Sequence, residues 1–342
     1  MATVTKISVN DYQYIGKPLR IYIKSPTKYT HKLEYSFGEQ NGIIVDSFSG
    51  SYFDWVLPNE FYDEMPDSIK KNGTITCTTY ENGKKVGTAS TSFSAVISGD
   101  QHPKIIAVFL QDTNKKTVNL TGDSTTLIKG YSDAKITYMY SGSAGASIVK
   151  SEYQCGDGQK NNSGEFKSVK SNSFRVKITD SRGLVAEKVV SPMMIDYFPI
   201  TCNLRAKGAD EVTGDIPVNI SGVCFSGSFG KTDNTFTISY RIKENNKNWQ
   251  QGVILGELFS STDGKYDLSF NLPGYNYKKK YTIVFSVSDY LSDATSNEQV
   301  VSTIPVFHWG EYDFVFNVPI TAPEINLSDE GVASLKKLLG IE

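Results

Sequence analysis

An all-β fold of three tandem immunoglobulin-like sandwiches is predicted for this chain, chiefly by a hairpin that recurs three times. The first copy runs Thr74–Tyr80, Glu81–Gly83, Lys84–Thr88. The second runs Phe174–Asp180, Ser181–Gly183, Leu184–Val190, and the third Tyr281–Asp289, Tyr290–Ala294, Thr295–Val301. Each leading strand alternates: Ile75, Cys77 and Thr79 share a face, as do Phe174, Val176 and Ile178, and Tyr281, Ile283, Phe285 and Val287. Period two over five or more residues is the signature of a half-buried antiparallel strand. Asn82-Gly83 and Arg182-Gly183 supply the glycine that a tight reversal needs. The copies recur at roughly 100-residue intervals, about the length of one immunoglobulin-like sandwich. Composition agrees, since 20 Tyr and 18 Phe stand against 12 Pro, and long Ala/Leu/Glu/Lys runs are absent.

The first module is read as residues 1–97. Leu19–Ile23 and Tyr29–Phe37 alternate, the latter with His31, Leu33, Tyr35 and Phe37 on one face. Trp55 falls mid-strand in Ser51–Pro58, where a large apolar ring fills a core. Asn59–Pro66 is too short and too bounded by proline for more than one or two helical turns. Residues 98–103 form a turn-rich linker. The second module, 98–199, contains the strands Lys104–Leu110 and Ala134–Tyr140, and its Ser/Gly/Asn-rich stretch 141–173 reads as loops at one end of a sandwich. The third, 200–304, contains Val218–Gly222, Thr235–Ile242 and Tyr266–Phe270. Trp249 lies in a polar turn, where it covers a sheet edge or touches a ligand. Residues 305–342 are an aromatic extended segment followed by a helical period over Leu327–Leu339, with Ser328 or Asp329 as N-cap. Val332, Leu335, Leu338 and Leu339 share one stripe of that helix.

Several function classes are disfavoured. The chain has 342 residues, 39% of them hydrophobic, with no run of about 18 apolar residues to cross a membrane. Its N-terminus lacks the apolar segment of a signal peptide, so it is expected to stay in the cytoplasm where it is made until released. A net charge of −2 offers no basic footprint for nucleic acid or an anionic membrane. Cys77, Cys155, Cys202 and Cys224 fall one, one and two per module and read as buried free thiols; only Cys202 and Cys224 could pair. His31, His102 and His308 are too dispersed for a catalytic set. No metal, cofactor or phosphate-loop pattern stands out.

Certain stretches resemble a known family. They are Tyr29–Gly38, Trp55–Pro58, Thr74–Tyr80 followed by Val86-Gly87, Asp180–Gly183, Ser239-Tyr240 with Trp249, Ser288-Asp289, and the closing Pro305–Pro319. Together they are similar to the minor structural, tail-associated proteins of siphophages that infect Gram-positive bacteria, over nearly the whole chain up to residue 320. The resemblance implies a virion component of the tail or adsorption apparatus and not an enzyme. It implies other virion proteins as partners, with host cell-surface polysaccharide as a further one, and assembly in the host cytoplasm. Members of that family continue into a further C-terminal domain, whereas only 321–342 follows here, which points to a shaft, an anchor or a decoration. A capsid-attached head fibre or decoration is the alternative, and a cell-wall polysaccharide hydrolase is a third reading.

Candidate receptor contacts are Tyr153, Asn161, Asn162 and Trp249, because aromatic rings give contact area at little entropic cost while amides adapt their hydrogen bonds. Solvated loops without a partner are the plainer reading of the same residues. Phe307, Trp309, Phe314 and Phe316, with Leu335, Leu338 and Leu339, are assigned to an oligomer interface, since a complete third sandwich leaves them no core to enter. Closed symmetry is the default for homo-oligomers; a trimer follows from the resemblance to phage fibres alone.

Overall fold

Alternating side chains give each strand one face to bury, and pairs of sheets meet across those faces. The computed structural model describes residues 5–26, 28–142, 144–250, 252–258 and 263–303, with the backbone of two further strands, 307–309 and 314–316. Nearly all regular structure is β, so the fold is all-β.

Eight strands build the first sandwich: β1 (Lys6–Val9), β2 (Gln13–Tyr14), β3 (Pro18–Lys24), β4 (Thr30–Phe37), β5 (Gln40–Phe48), β6 (Tyr52–Val56), β7 (Lys70–Glu81) and β8 (Lys84–Val96). One sheet runs β1-β3-β6 and the other β2-β8-β7-β4-β5. The shared core takes Leu19, Ile21 and Trp55 from the first sheet and Leu33, Phe37, Ile75, Cys77 and Phe93 from the second. Trp55 is 8% exposed, and its ring lies 5.0 Å from Tyr35 and 5.4 Å from Phe93. Phe61, from a single 3-10 turn at Asn59–Tyr62, stacks on Phe37 at 4.1 Å. The β7–β8 hairpin turns at Asn82 (φ 47°) and Gly83 (φ 78°). Both angles are positive, as the type I′ turn requires.

His31 on β4 is 2% exposed, with Nδ1 3.2 Å from the Thr79 hydroxyl. Burial lowers its pKa from the ordinary 6.5. The unfolded chain therefore takes up this proton at a higher pH than the folded chain does. The stability His31 contributes is complete above about pH 6.5 and is lost as the pH falls from there toward the folded pKa. Between about pH 7.5 and about pH 5, the urea midpoint of the first sandwich should fall further in the wild type than in His31→Gln. Equal slopes would show that His31 is not held neutral.

The second sandwich comprises β9 (Lys104–Asp112), α1 (Lys115–Thr121), β10 (Leu127–Ile128), β11 (Ala134–Ser141), β12 (Ile148–Cys155), β13 (Lys160–Asn161), β14 (Glu165–Phe166), β15 (Phe174–Asp180), β16 (Val185–Val190) and β17 (Met194–Ile195). Its sheets are β14-β11-β9 and β13-β12-β15-β16, with a short parallel β10-β17 pair. Two sequence expectations are corrected here. Residues 141–173 are not a loop cluster, because β12, β13 and β14 lie within them; Tyr153 and Cys155 point inward and Gln154 between them points out. The helix α1 was not anticipated, since its Thr and Val content masks any helical period. Asn114 caps it, its side-chain Oδ1 accepting from Lys116 N at 3.0 Å. Asp112, 5% exposed, ties the segment down by accepting from the hydroxyls of Thr117 at 2.5 Å and Ser132 at 2.6 Å.

The third sandwich holds β18 (Asn203–Ala206), β19 (Ile216–Val223), β20 (Phe236–Glu244), β21 (Val253–Leu258), β22 (Lys265–Leu272), β23 (Tyr281–Asp289), β24 (Asp293–Thr295) and β25 (Gln299–Val301). Sheets β18-β19-β22 and β21-β20-β23-β24, with β25 also on β23, enclose Val218, Ile220, Phe236, Ile238, Ile283, Phe285 and Val287. All four cysteines are free thiols, so Cys202 and Cys224 do not pair. Burial, and then the Asp289 charge, push Cys224 up to about 12.

Beyond it, β26 (Phe307–Trp309) and β27 (Phe314–Phe316) pair antiparallel with Phe307 opposite Phe316 and Trp309 opposite Phe314. The expected extended segment is thus a hairpin in its backbone. The expected C-terminal helix and its Leu335, Leu338 and Leu339 lie outside the described residues.

Among the described residues no strand pairing crosses 98–103 or 198–201. The chain nevertheless divides into two compact units and not three: Met1–Val118 with Asp123–Ile195, and Asn119–Gly122 with Asp196–Glu342. The first two sandwiches therefore share one unit. The Asp180–Gly183 turn of the second explains it by reaching into the first. Arg182 is 8% exposed; its Nε donates to Met65 O at 2.7 Å and its Nη2 to Tyr62 O at 3.1 Å and to Ala144 O. Ser181 donates to Pro66 O, and Leu184 packs on the first core.

Candidate functional site

Strand register decides which side chains share the outer face of the β13-β12-β15-β16 sheet. Phe174, Val176 and Ile178 of β15 are fully buried, so Arg175 and Lys177 between them face out. In register, Gln154 pairs with both Lys160 and Arg175. One row across the sheet therefore reads Lys160, Gln154, Arg175. The next reads Glu152, Lys177, Glu187. These residues, with Asn161 and Asn162, line an open cleft of about 430 Å³.

The two rows differ electrostatically. Lys177 lies between two carboxylates, with Glu187 Oε1 3.9 Å away. Glu152 is also held by Lys150 at 2.9 Å, which lowers its pKa. The first row contains two cations and an amide but no carboxylate. Arg175 reaches only Glu187, diagonally and at 3.9 Å, and Lys160 forms no ion pair among the described residues.

The rim is set by Asn161. Its Oδ1 accepts from Gly164 N at 2.8 Å and Ser163 N at 3.1 Å, and its Nδ2 donates to Glu165 O at 2.7 Å. Gly164 is required at this corner, with φ 73° and its missing Cβ only 2.6 Å from Ile136 O. Three of the four candidate contacts thus come together, in different roles. Asn162 is exposed at the rim and Asn161 shapes the loop. Tyr153 is 9% exposed and packs with the core, and it also lines the cleft. Lys160, Gln154 and Arg175 were missed, because only strand register places them together.

Trp249, the fourth candidate, sits on the third sandwich, half-buried. Lys243 Nζ lies 4.6 Å and Arg241 Cζ 5.3 Å from its ring centre. Both cations project from β20 on the side away from the buried Ile242. The indole covers a charged sheet face of its own module, a cation–π arrangement.

Among the described residues no group of three His, Cys, Asp or Glu is placed to hold a metal. No helix among them is long and apolar enough to cross a membrane.

No curated protein matches the chain. Among solved structures it is similar to the three N-terminal domains of the highly immunogenic outer capsid protein (Hoc) of bacteriophage RB49, at 10% identity over 89% of this chain and 99% of that one, with a TM-score of 0.29. A tetra-tandem repeat from the extending region of a large adhesion protein matches at 10% identity, over 88% and 74% of the two chains, with a TM-score of 0.30. A 1.5-MDa bacterial ice-binding adhesin matches at 11% identity, over 88% and 99%, with a TM-score of 0.28. A family model described as "Siphovirus protein of unknown function (DUF859)" matches residues 1–308.

Proposed function

Because the chain belongs to this siphovirus protein family of unknown function, we propose that it is a structural protein of the phage particle, carried on the tail, that presents its sandwiches to the host surface. It acts by binding and assembly, not by catalysis. The observation that carries this reading is the union of a locked pair of sandwiches with an open polar cleft on one outer sheet. Such a unit presents a recognition face without flexing between the first two modules. The ligand is host cell-surface polysaccharide, whose hydroxyls suit an amide- and ion-lined face. Immuno-gold labelling of intact particles should place the protein on the tail. Label on the capsid would replace this with a head fibre, and unlabelled particles would overturn the virion assignment. Purified protein incubated with host cell wall should release no sugar.

Assembly is assigned to residues 305–342, making the protein a homotrimer. Four aromatic residues, Phe307, Trp309, Phe314 and Phe316, follow a third sandwich whose last strand ends at Val301. A stretch of sequence that rich in apolar rings is assigned to an interface. By light scattering the full chain should run as a trimer, and a chain truncated after Thr303 as a folded monomer. A full-length monomer at micromolar concentration would refute the assignment.

A further inference from the structure

The second and third sandwiches treat equivalent sheet faces differently. In each, the leading hairpin strand lies next to a strand that carries the polar face: β12 beside β15, and β20 beside β23. In the third, the chain's own Trp249 ring lies over Arg241 and Lys243, although Arg241 stays exposed. Val284 and Thr282, directly across from those cations, are correspondingly buried. In the second, Arg175 is left exposed, Lys160 is exposed at the edge, and a cleft opens between them.

We infer that this cleft is the binding site for an acidic glycan, with its phosphate or carboxylate groups on Lys160 and Arg175 and its hydroxyls on Gln154 and Asn162. Three features carry the inference. The row Lys160, Gln154, Arg175 has no carboxylate of its own; its cations meet the neighbouring row's carboxylates only at a distance, Arg175 with Glu187 at 3.9 Å, which leaves their close hydrogen-bonding positions to a ligand. The row beside it, with Glu152 and Glu187 around Lys177, repels an anion and confines it to the first row. The rim loop is already fixed by the hydrogen bonds of Asn161, so the backbone that carries Asn162 need not order on binding. An arginine and a lysine two strands apart in the sheet, roughly 10 Å, suit a polymer with repeated negative charge better than a single small anion.

This deepens the host-surface reading and rests on it, but the test separates the two. Purified full-length protein is titrated with poly(glycerol phosphate), with hyaluronan as a carboxylate polymer, and with neutral dextran. One or both acidic polymers should bind, and more weakly as salt rises; which of them binds tells phosphate from carboxylate. Lys160→Gln with Arg175→Gln should weaken that binding by roughly tenfold or more, through loss of two charge-assisted hydrogen bonds. Both residues are surface groups, so the urea midpoint should not move. Lys84→Gln with Lys85→Gln, a charge-matched change on the β7–β8 hairpin, should leave binding intact. Dextran binding as well as the acidic polymers, no acidic polymer binding at all, or unchanged affinity in the Lys160/Arg175 variant would each overturn the site. None of those results would bear on where immuno-gold places the protein.

Discussion

Replacing Trp55 with alanine should cost the first sandwich about 3–5 kcal/mol. The indole is the meeting point of both sheets, with Tyr35, Phe61 and Phe93 rings at 5.0, 5.9 and 5.4 Å. Phe61 is in turn stacked on Phe37 and Phe93. Rigid rings on every side cannot collapse into the space an indole leaves, so the cavity term adds to the lost transfer free energy. Trp55→Phe retains part of the ring contact and should cost less. The measurement is urea unfolding of the full-length protein, with amide exchange along Lys70–Glu81 as the local probe. A change below about 1 kcal/mol would mean the ring contributes no more than a surface residue.

How much of this was legible in the sequence depended on whether a feature was local. The leading hairpin strands bury the faces read as inward, Ile75 and Cys77, then Phe174, Val176 and Ile178, then Ile283, Phe285 and Val287, but the third is not half-buried, since Thr282 and Val284 on its other face are buried too. Asn82-Gly83 also announced its turn, because few other residue pairs accept two positive φ angles. The strand β12 was hidden. Its inward residues near the end are Tyr153 and Cys155, neither a strong apolar signal, and its neighbours are Ser, Gly and Asn. The helix α1 was hidden by β-branched residues, although Asp112 and Asn114 ahead of Lys115 are a readable N-terminal signal.

The candidate site was half legible for the same reason. Composition pointed to the region of Tyr153, Asn161 and Asn162, and that region does form the cleft. It could not say which residues faced out. That follows from the pairing of Gln154 with Lys160 and Arg175, a property of register between strands. Trp249 was placed correctly in a polar turn, but its partners Arg241 and Lys243 precede it on β20. Two cations two residues apart on a strand, followed by a nearby tryptophan, is a pattern that could have been read.

Arg182 shows the limit most clearly, and the second large effect is expected there. In the sequence it is one residue of a turn; in the structure it is the joint between two sandwiches, bonded to Met65 across 117 residues. Its guanidinium satisfies the carbonyls of Tyr62, Met65 and Ala144 and lies 6.0 Å from the Tyr62 ring centre. Burial pulls its pKa below the usual arginine value, though an arginine stays protonated regardless. Asp180 sets the turn by accepting from Arg182 N at 3.0 Å and Leu184 N at 2.8 Å. Gly145 makes the room: with φ 74°, any Cβ there would stand 2.3 Å from Tyr62 O. Arg182→Met keeps most of the stem but strands the Met65 and Ala144 carbonyls, each worth about 1–3 kcal/mol if it stays dry, while Tyr62 O keeps the Met65 N–H at 3.1 Å. The coupling between the sandwiches should fall by about 2–5 kcal/mol, the lower end applying if water enters the joint. In calorimetry of the full-length protein, the first two sandwiches should unfold in one transition in the wild type and in two in Arg182→Met. Arg182→Lys should rescue only in part, because a single ammonium cannot reproduce the planar fork that reaches Met65 and Tyr62 together. Gly145→Ala should give the same split by pushing the Tyr62 segment away. If Arg182→Met unfolds as the wild type does, the joint is held by Leu184 and Ser181 and the arginine is dispensable.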